Sequence, residues 1–118
     1  MSNFSNLEIY QEIKKIVTQF KILECDRCAV MEWLEQQGIQ GEILRLRTKY
    51  QDEDYIISER LERLGVAESI TVNGKHYDVE VRGLVFDNLS TDGMFIEEWV
   101  KDFHCQSEQF VVEELESL

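Results

Sequence analysis

The sequence predicts an α+β fold in which helices come first and an antiparallel β-sheet follows. Apolar residues recur at three- and four-residue spacing over residues 4–20 and 26–37, which is typical of amphipathic helices. Apolar and polar residues alternate around tight-turn signals over residues 68–88, which is typical of strands joined by hairpins. The 118 residues have the length of one domain and 43% of them are hydrophobic, so we expect a single core for residues 1–118.

Two helices are predicted at the amino-terminal end. The first covers residues 4–20, within an N-terminal segment 1–22, and its apolar positions are Phe4, Leu7, Ile9, Ile13, Ile16, Val17 and Phe20. The second covers residues 26–37, because Asp26 is a good N-cap residue and Gly38 is a typical helix stop. Its apolar stripe consists of Ala29, Val30, Trp33 and Leu34.

Short strands and one ambiguous segment are predicted next. The run Ile43–Leu46 favours a strand, residues 49–54 a solvated turn, and Tyr55–Ile57 a second strand. The segment Leu61–Gly65 fits either one helical turn or an irregular connection.

Two tight turns predict a three-stranded meander over residues 68–88. Asn73–Gly74 favours a two-residue hairpin turn, because both central positions of such a turn need positive φ. A second such turn at Arg82–Gly83 sets Val79 opposite Phe86. The two registers agree on an apolar face with Ile70, Val72, Tyr77, Val79, Val81, Leu84 and Phe86. The other face collects Thr71, His76, Asp78, Glu80 and Asp87, with Val85 as the exception.

The end of the chain completes the predicted sheet. Apolar spacing predicts a third helix over residues 94–103, with Met94, Phe95, Trp99, Val100 and Phe103 as its apolar positions. The run Phe110–Val112 then predicts a closing strand.

The charge balance excludes several classes of partner. The chain carries 24 acidic and 12 basic side chains, a net charge of −12, and no Lys/Arg cluster stands out in the sequence. Such a surface repels phosphate backbones and anionic lipids, so we expect no nucleic-acid or membrane partner. The sequence has no apolar run long enough for a membrane span and no signal-peptide pattern, so a cytoplasmic location is expected. The three cysteines are then expected to be free thiols.

Three residues are candidates for nucleophilic catalysis. Cys28 falls in the first turn of the second helix, nearly opposite its apolar stripe, where the helix dipole favours a thiolate. His76 opens a strand on the polar face, and Asp87 is its diagonal neighbour on that face. A nucleophile, a base and a carboxylate that orients the base are what covalent catalysis requires. The alternatives remain a small buried cysteine and a solvated strand histidine.

Four segments carry a resemblance to a known family. They are Cys25-Asp26-Arg27-Cys28-Ala29, Gly74-Lys75-His76-Tyr77-Asp78-Val79, Val85-Phe86-Asp87-Asn88 and Glu98-Trp99. In this order and spacing they resemble the papain-fold toxins, the compact papain-like domains of bacterial polymorphic toxin systems. The chain is especially similar to their short, stand-alone cyanobacterial members, over roughly residues 23–115.

The resemblance implies a papain-like core and a Cys-His-Asp triad that acts on peptide or amide bonds, as a peptidase, deamidase or acyl transferase. It implies that the nucleophile is Cys28 rather than Cys25, the base His76 and the third member Asp87, with the neighbouring Asn88 left open. It also implies a toxin effector with a protein or peptide substrate, an immunity protein as partner, and no cofactor. The chain departs from larger papain-like enzymes at Ile22, where they place an oxyanion-binding glutamine.

The residues also allow two other interpretations. Cys25, Cys28, His104 and Cys105 offer four zinc ligands, but adjacent ligands such as His104 and Cys105 do not fit the usual spacing of structural sites, so no metal is expected. The chain could also be a non-catalytic acidic interaction protein, or an immunity-type protein, that retains the fold. A Cys28–His76 approach at hydrogen-bonding distance would favour the enzyme.

Overall fold

The computed structural model describes residues 4–20, 26–87 and 89–115. Its elements in chain order are α1 (Asn6–Val17), α2 (Arg27–Gln37), β1 (Glu42–Thr48), β2 (Ile57–Ser58), α3 (Glu59–Arg63), β3 (Lys75–Val81), β4 (Leu84–Asp87), β5 (Ser90–Met94), α4 (Ile96–Lys101), β6 (Phe103–His104) and β7 (Phe110–Leu115). The α+β class is confirmed, although helices and strands interleave and are not segregated along the chain. None of the described helices has the length and apolar character needed to cross a membrane.

The strands form a five-stranded antiparallel sheet with the order β5-β4-β3-β1-β7, and a small second sheet pairs β2 with β6. Helices α1 and α2 cover one face of the large sheet, in a core made of Ile9, Ile13, Val17, Val30, Leu34, Ile39, Val79, Val81 and Phe86. The other face is covered by α4 and β6, in a core made of Leu44, Leu46, Ile56, Val85, Trp99 and Phe103. The fold therefore has three layers, and the central strands β3 and β4 are covered on both faces.

Both predicted amino-terminal helices are present, with slightly shorter bounds. Helix α1 begins with a capping box in which Ser5 and Glu8 bind each other's backbone N–H groups. Helix α2 follows Asp26 and ends at Gly38, as predicted. The expected side-chain cap is wrong, because the backbone of Asp26 is itself near-helical and its carboxylate accepts no hydrogen bond from the first turn.

The second predicted hairpin is confirmed in its turn and its register. Arg82 and Gly83 have φ values of 51° and 90°, as a two-residue turn of this kind requires. Val79 pairs with Phe86, which places Asp78 on the opposite face from the apolar pair. The Tyr10 hydroxyl donates a hydrogen bond of 2.6 Å to the Arg82 carbonyl and so ties the turn to α1.

The first predicted hairpin is wrong, because β3 pairs with β1 and not with residues 70–72. His76 lies opposite Leu46 in this pairing, and residues 68–74 form no strand. Val72, expected on the core face, is 92% exposed. The strand β1 offers seven residues with a buried apolar side, and this long-range pairing outweighs a local turn signal.

Gly74 instead holds the loop before β3 against the loop after β1. Its N–H donates to the Asp54 carbonyl, and its own carbonyl accepts from the Thr48 N–H. At φ +73° and with no side chain, it lets the two loops approach closely, since a Cβ there would lie 2.6 Å from the Glu53 carbonyl oxygen.

Other predictions hold in part. The closing strand is confirmed and runs longer, as β7 (Phe110–Leu115), and the helical alternative is right for the segment at Leu61, which lies in α3. The third helix is shorter than predicted, because Met94 ends β5 and Phe103 begins β6. The second predicted strand, Tyr55–Ile57, shares only Ile57 with the two-residue strand β2. Strand β5 was not predicted, and the turn 49–54 contains a buried residue, Glu53.

Candidate functional site

The histidine predicted as a base lies at the start of β3, between a buried carboxylate and two aromatic rings. Its Nε2 lies 3.0 Å from Oδ2 of Asp78. Its ring centre lies 5.0 Å from that of Phe103 and 6.3 Å from that of Trp99. Because an ionised carboxylate can only accept, the His76 proton in this contact lies on Nε2, and no described residue hydrogen bonds to Nδ1. The second ring nitrogen is therefore available to exchange a proton with another group.

Asp78 is the carboxylate that orients this ring. It is 3% exposed, and its Oδ2 also accepts a 2.7 Å hydrogen bond from the indole N–H of Trp99. The hydrogen bond to His76 that was expected from Asp87 is thus made by Asp78, and the role of Asp87 as the third catalytic residue stays a prediction. The reason is local: residues two apart on a strand share a face, so Asp78 is the nearest carboxylate along β3 itself.

Asp87 is held by an arginine that the sequence interpretation did not include. Arg60 donates from its two terminal nitrogens to the two carboxylate oxygens of Asp87, both at 3.0 Å, and the N–H of Leu89 donates to Oδ1. The Nε and backbone N–H of Arg60 donate to Asp102, each at 2.9 Å. Arg60 thereby bridges two buried carboxylates and fixes the end of β4.

The buried charges shift one another's ionisation. Burial lowers the pKa of His76, but the adjacent Asp78 carboxylate outweighs this, and the net effect raises it above its ordinary value. Burial and the neighbouring Asp78 raise the pKa of Asp87, although Arg60 opposes the shift. Burial, reinforced by Asp78 and Asp87, raises the pKa of Asp26 to about 7. The site thus holds more carboxylates than cations in a poorly solvated space.

The beginning of α2 lies at this cluster. Asp26 is 5% exposed, its Oδ2 has no hydrogen-bond partner, and its charge interacts with Asp78, Asp87 and His76. Cys28 follows in the first turn and is exposed, as the helical geometry predicted. No hydrogen bond between the Cys28 thiol and a described residue is present. Cys25, Ile22 and Asn88 lie outside the described residues.

Three of these side chains could in principle hold a cation. His76, Asp78 and Asp87 each offer a ligand atom, and these atoms lie within 4.8 Å of one another. Both oxygens of Asp87 already accept from the Arg60 guanidinium, whose positive charge would repel a metal ion, so the cluster is organised around arginine. A second group, Glu42, Glu80 and Glu114, lies one step further along the same sheet.

Three residues of the zinc interpretation, Cys28, His104 and Cys105, do not come together; the fourth, Cys25, lies outside the described residues. Cys28 is exposed, whereas Cys105 is buried and contacts Ser107. His104 is held between the carboxylates of Glu59 and Glu108. These contacts explain the segment at the end of β6 as local packing.

Sequence reasoning missed Asp78, Arg60, Trp99 and Asp102 as parts of the site. The two-residue period of β3 already places Asp78 beside His76, so that signal was present. Nothing in the sequence singles out Arg60, because its role depends on a short helix that reaches the sheet only in three dimensions.

Comparison with known proteins identifies one family. The family model described as papain fold toxin 2 matches residues 8–104, which is most of the chain. No curated protein and no solved structure gives a significant match.

Proposed function

The chain belongs to the papain fold toxin 2 family, and from that premise we propose that it is a papain-like cysteine hydrolase that acts as a toxin effector on a protein or peptide substrate. The observation that carries the proposal is the pairing of His76 with the buried Asp78 beside the start of α2, which bears the exposed Cys28. A reactive thiol, a base and a buried orienting carboxylate make up the arrangement that thiol hydrolases use.

The proposed reaction is attack on a peptide or amide carbonyl. The Cys28 thiol gives its proton to Nδ1 of His76, and the sulfur forms a bond to the carbonyl carbon. The backbone N–H of Cys28, in the first turn of α2, supplies one donor to the oxygen that becomes negative. The imidazolium then returns the proton to the leaving amine as the C–N bond breaks. Water attacks the resulting thioester and regenerates the thiol, or an amine takes the acyl group instead.

The two carboxylates of the proposed site have different tasks. Asp78 holds the imidazole through Nε2 and so leaves Nδ1 for the proton of the thiol, and in this proposal it also stabilises the imidazolium. Asp87 remains in the proposal as the third member of the predicted triad, now as a charge that acts on His76 without the hydrogen bond. Cytoplasmic action is part of the proposal, because thiols such as Cys28 and Cys105 stay reduced there.

Alkylation of the thiols tests the proposal directly. Iodoacetamide at neutral pH should modify Cys28 far faster than the buried Cys105, and His76→Ala should slow the modification of Cys28 by at least about tenfold. Cys105→Ser is the matched control and should leave the Cys28 rate unchanged. An equal Cys28 rate in the wild-type protein and in His76→Ala would show that the histidine does not activate the thiol.

Substitution of the two carboxylates separates their roles. On a peptide substrate, Asp78→Asn should reduce kcat by about 10²- to 10⁴-fold, because it removes the group that fixes the base. Asp87→Asn should reduce kcat less. If Asp87→Asn abolishes activity while Asp78→Asn leaves it intact, the original assignment of Asp87 as the orienting group is right.

The second candidate function is a non-catalytic acidic interaction protein. The net charge of −12 favours it, as does the lack of a hydrogen bond from the Cys28 thiol to any described residue. Under this function, the Cys28 alkylation rate would match that of a free thiol in an unfolded peptide and would not respond to His76→Ala.

A further inference from the structure

A basic pocket lies on the large sheet where β1 ends and β3 begins. It has a volume of about 350 Å³ and is lined by Arg45, Arg47, Thr48, Gln51, Asn73, Gly74 and Lys75. Three of these residues are cations and none is acidic, although acidic side chains outnumber basic ones two to one in the whole chain. These cations form no cluster along the sequence, because the pairing of β1 with β3 is what joins them.

The cations of the pocket are only partly neutralised. Arg45 and Arg47 both donate from Nε to the same oxygen of Glu113, at 3.0 and 2.9 Å. Lys75 lies opposite Arg47 across the strands and forms no ion pair with a described residue. Glu113 therefore neutralises at most one of the three positive charges, and the lining retains an excess of positive charge.

The basic surface continues towards the candidate nucleophile. Tyr77 lies opposite Arg45 across β1 and β3, on the same sheet face as the pocket. The guanidinium carbon of Arg27 lies 4.6 Å from the centre of the Tyr77 ring. Arg27 immediately precedes Cys28 at the start of α2. A ligand chain that occupies the pocket can thus run along Tyr77 towards the start of α2, which bears Cys28.

We propose that this pocket binds acidic side chains of a peptide substrate, at positions to one side of the bond that Cys28 attacks. The inference rests on the proposed function for the direction of the chain, and on charge complementarity for the ligand class. Guanidinium groups bind carboxylates by paired hydrogen bonds, and a pocket of this volume holds a few side chains. A nucleic acid fits less well, because its long phosphate backbone would meet the acidic remainder of the surface.

Binding to the inactive Cys28→Ala protein tests the inference without depending on catalysis. The probe is a fluorescein-labelled peptide, Gly-Ser-Glu-Glu-Glu-Ser-Gly, and its control is the same peptide with Gln in place of each Glu. Fluorescence anisotropy should show binding of the Glu peptide that weakens as ionic strength rises, and at least about tenfold weaker binding of the Gln peptide.

Two variants locate the binding site. In the Cys28→Ala background, Lys75→Gln should weaken binding of the Glu peptide about fivefold, the expected effect of removing one solvent-screened charge. Lys101→Gln is the matched control, since this exposed lysine on α4 is outside the pocket lining, and it should change nothing. Arg47→Gln should weaken binding further, and circular dichroism confirms that each variant is folded.

The possible outcomes are distinct. Equal affinity for the Glu and Gln peptides, or equal effects of Lys75→Gln and Lys101→Gln, would overturn the inference. Tighter binding of a single-stranded oligonucleotide than of the Glu peptide would also overturn it, in favour of a phosphate ligand. If the wild-type protein hydrolyses no peptide but the Cys28→Ala protein binds the Glu peptide at this pocket, the proposed function fails and the binding inference stands.

Discussion

Replacing Asp26 with asparagine is expected to stabilise the protein at neutral and alkaline pH, and to do so progressively less as the pH falls. Asp26 is 5% exposed, one of its carboxylate oxygens has no hydrogen-bond partner, and two other carboxylates lie near it. Burial and these neighbours raise its pKa from 3.8 to about 7. The ionised form of Asp26 therefore destabilises the folded protein, whereas asparagine retains the shape of the side chain without its charge.

The sign follows from the number of bound protons. Between pH 3.8 and about 7 the folded chain keeps the Asp26 proton and the unfolded chain releases it, so the free energy of unfolding falls as the pH rises through this interval and is level above it. At about 1.4 kcal/mol per pH unit, the interval sets a ceiling of about 4 kcal/mol on the cost of ionised Asp26. Solvent screening at the start of a surface helix reduces this to about 2 kcal/mol.

Urea denaturation of the wild-type protein and Asp26→Asn, from about pH 4.5 to about pH 8.5, measures the effect. The variant should be more stable by about 2 kcal/mol at the alkaline end, and the difference should shrink as the pH falls below about 7. Asp52→Asn is the matched control, because Asp52 is exposed. Its stability curve should run parallel to that of the wild-type protein.

Two results would refute this reasoning about Asp26. A constant difference across the pH range would mean that its carboxyl group titrates as it does in the unfolded chain. A variant less stable than wild type at alkaline pH would mean that the carboxylate has a favourable partner in solution.

Three further predictions concern the site and the loop beside it. NMR titration of the His76 ring protons should give a pKa above 6.5 in the wild-type protein. The His76 pKa should be lower in Asp78→Asn, because burial then acts without the carboxylate. The same His76 pKa in both proteins would show that His76 and Asp78 do not interact in solution. Gly74→Ala should lower the free energy of unfolding by about 3 kcal/mol, but Gly65→Ala by only about 1 kcal/mol. Both have positive φ, yet only Gly74 has backbone and hydroxyl oxygens within 2.7 Å of the added methyl group, so equal losses would contradict the packing. Arg60→Met should cost about 3–5 kcal/mol in urea denaturation near neutral pH, because two buried carboxylates lose their cation, and a neutral result would show that they are solvated.

Interactions between residues close together in the chain determined a substantial part of this fold. The three- and four-residue spacing of apolar residues located α1 and α2, and it placed Cys28 on the exposed side of its helix. The Arg82–Gly83 turn set the register of β3 against β4, because positive φ at both positions leaves little choice of geometry. In these cases the interactions that decide the structure connect residues close together in the chain, so the sequence alone contains them.

Competition between possible strand partners decided the features that the sequence alone could not predict. The Asn73–Gly74 turn signal was locally stronger than the one at Arg82–Gly83, yet Gly74 is part of a loop–loop contact because β3 pairs with β1 at that edge. The strand period showed correctly that His76, Asp78 and Asp87 share a face. It could not show that α4 and β6 would cover that face.

The burial of that face, which only the tertiary structure decides, gives the candidate site its chemistry. A period of two reports which side chains lie together and is silent on what packs against them. In water, the carboxylates around His76 would be ordinary acidic groups. Under Trp99 and beside Arg60 they are desolvated and interact strongly, because charges far apart in the chain meet in a medium of low polarity. The same long-range pairing of β1 with β3 assembles the basic pocket, whose members are separated in the sequence by about thirty residues.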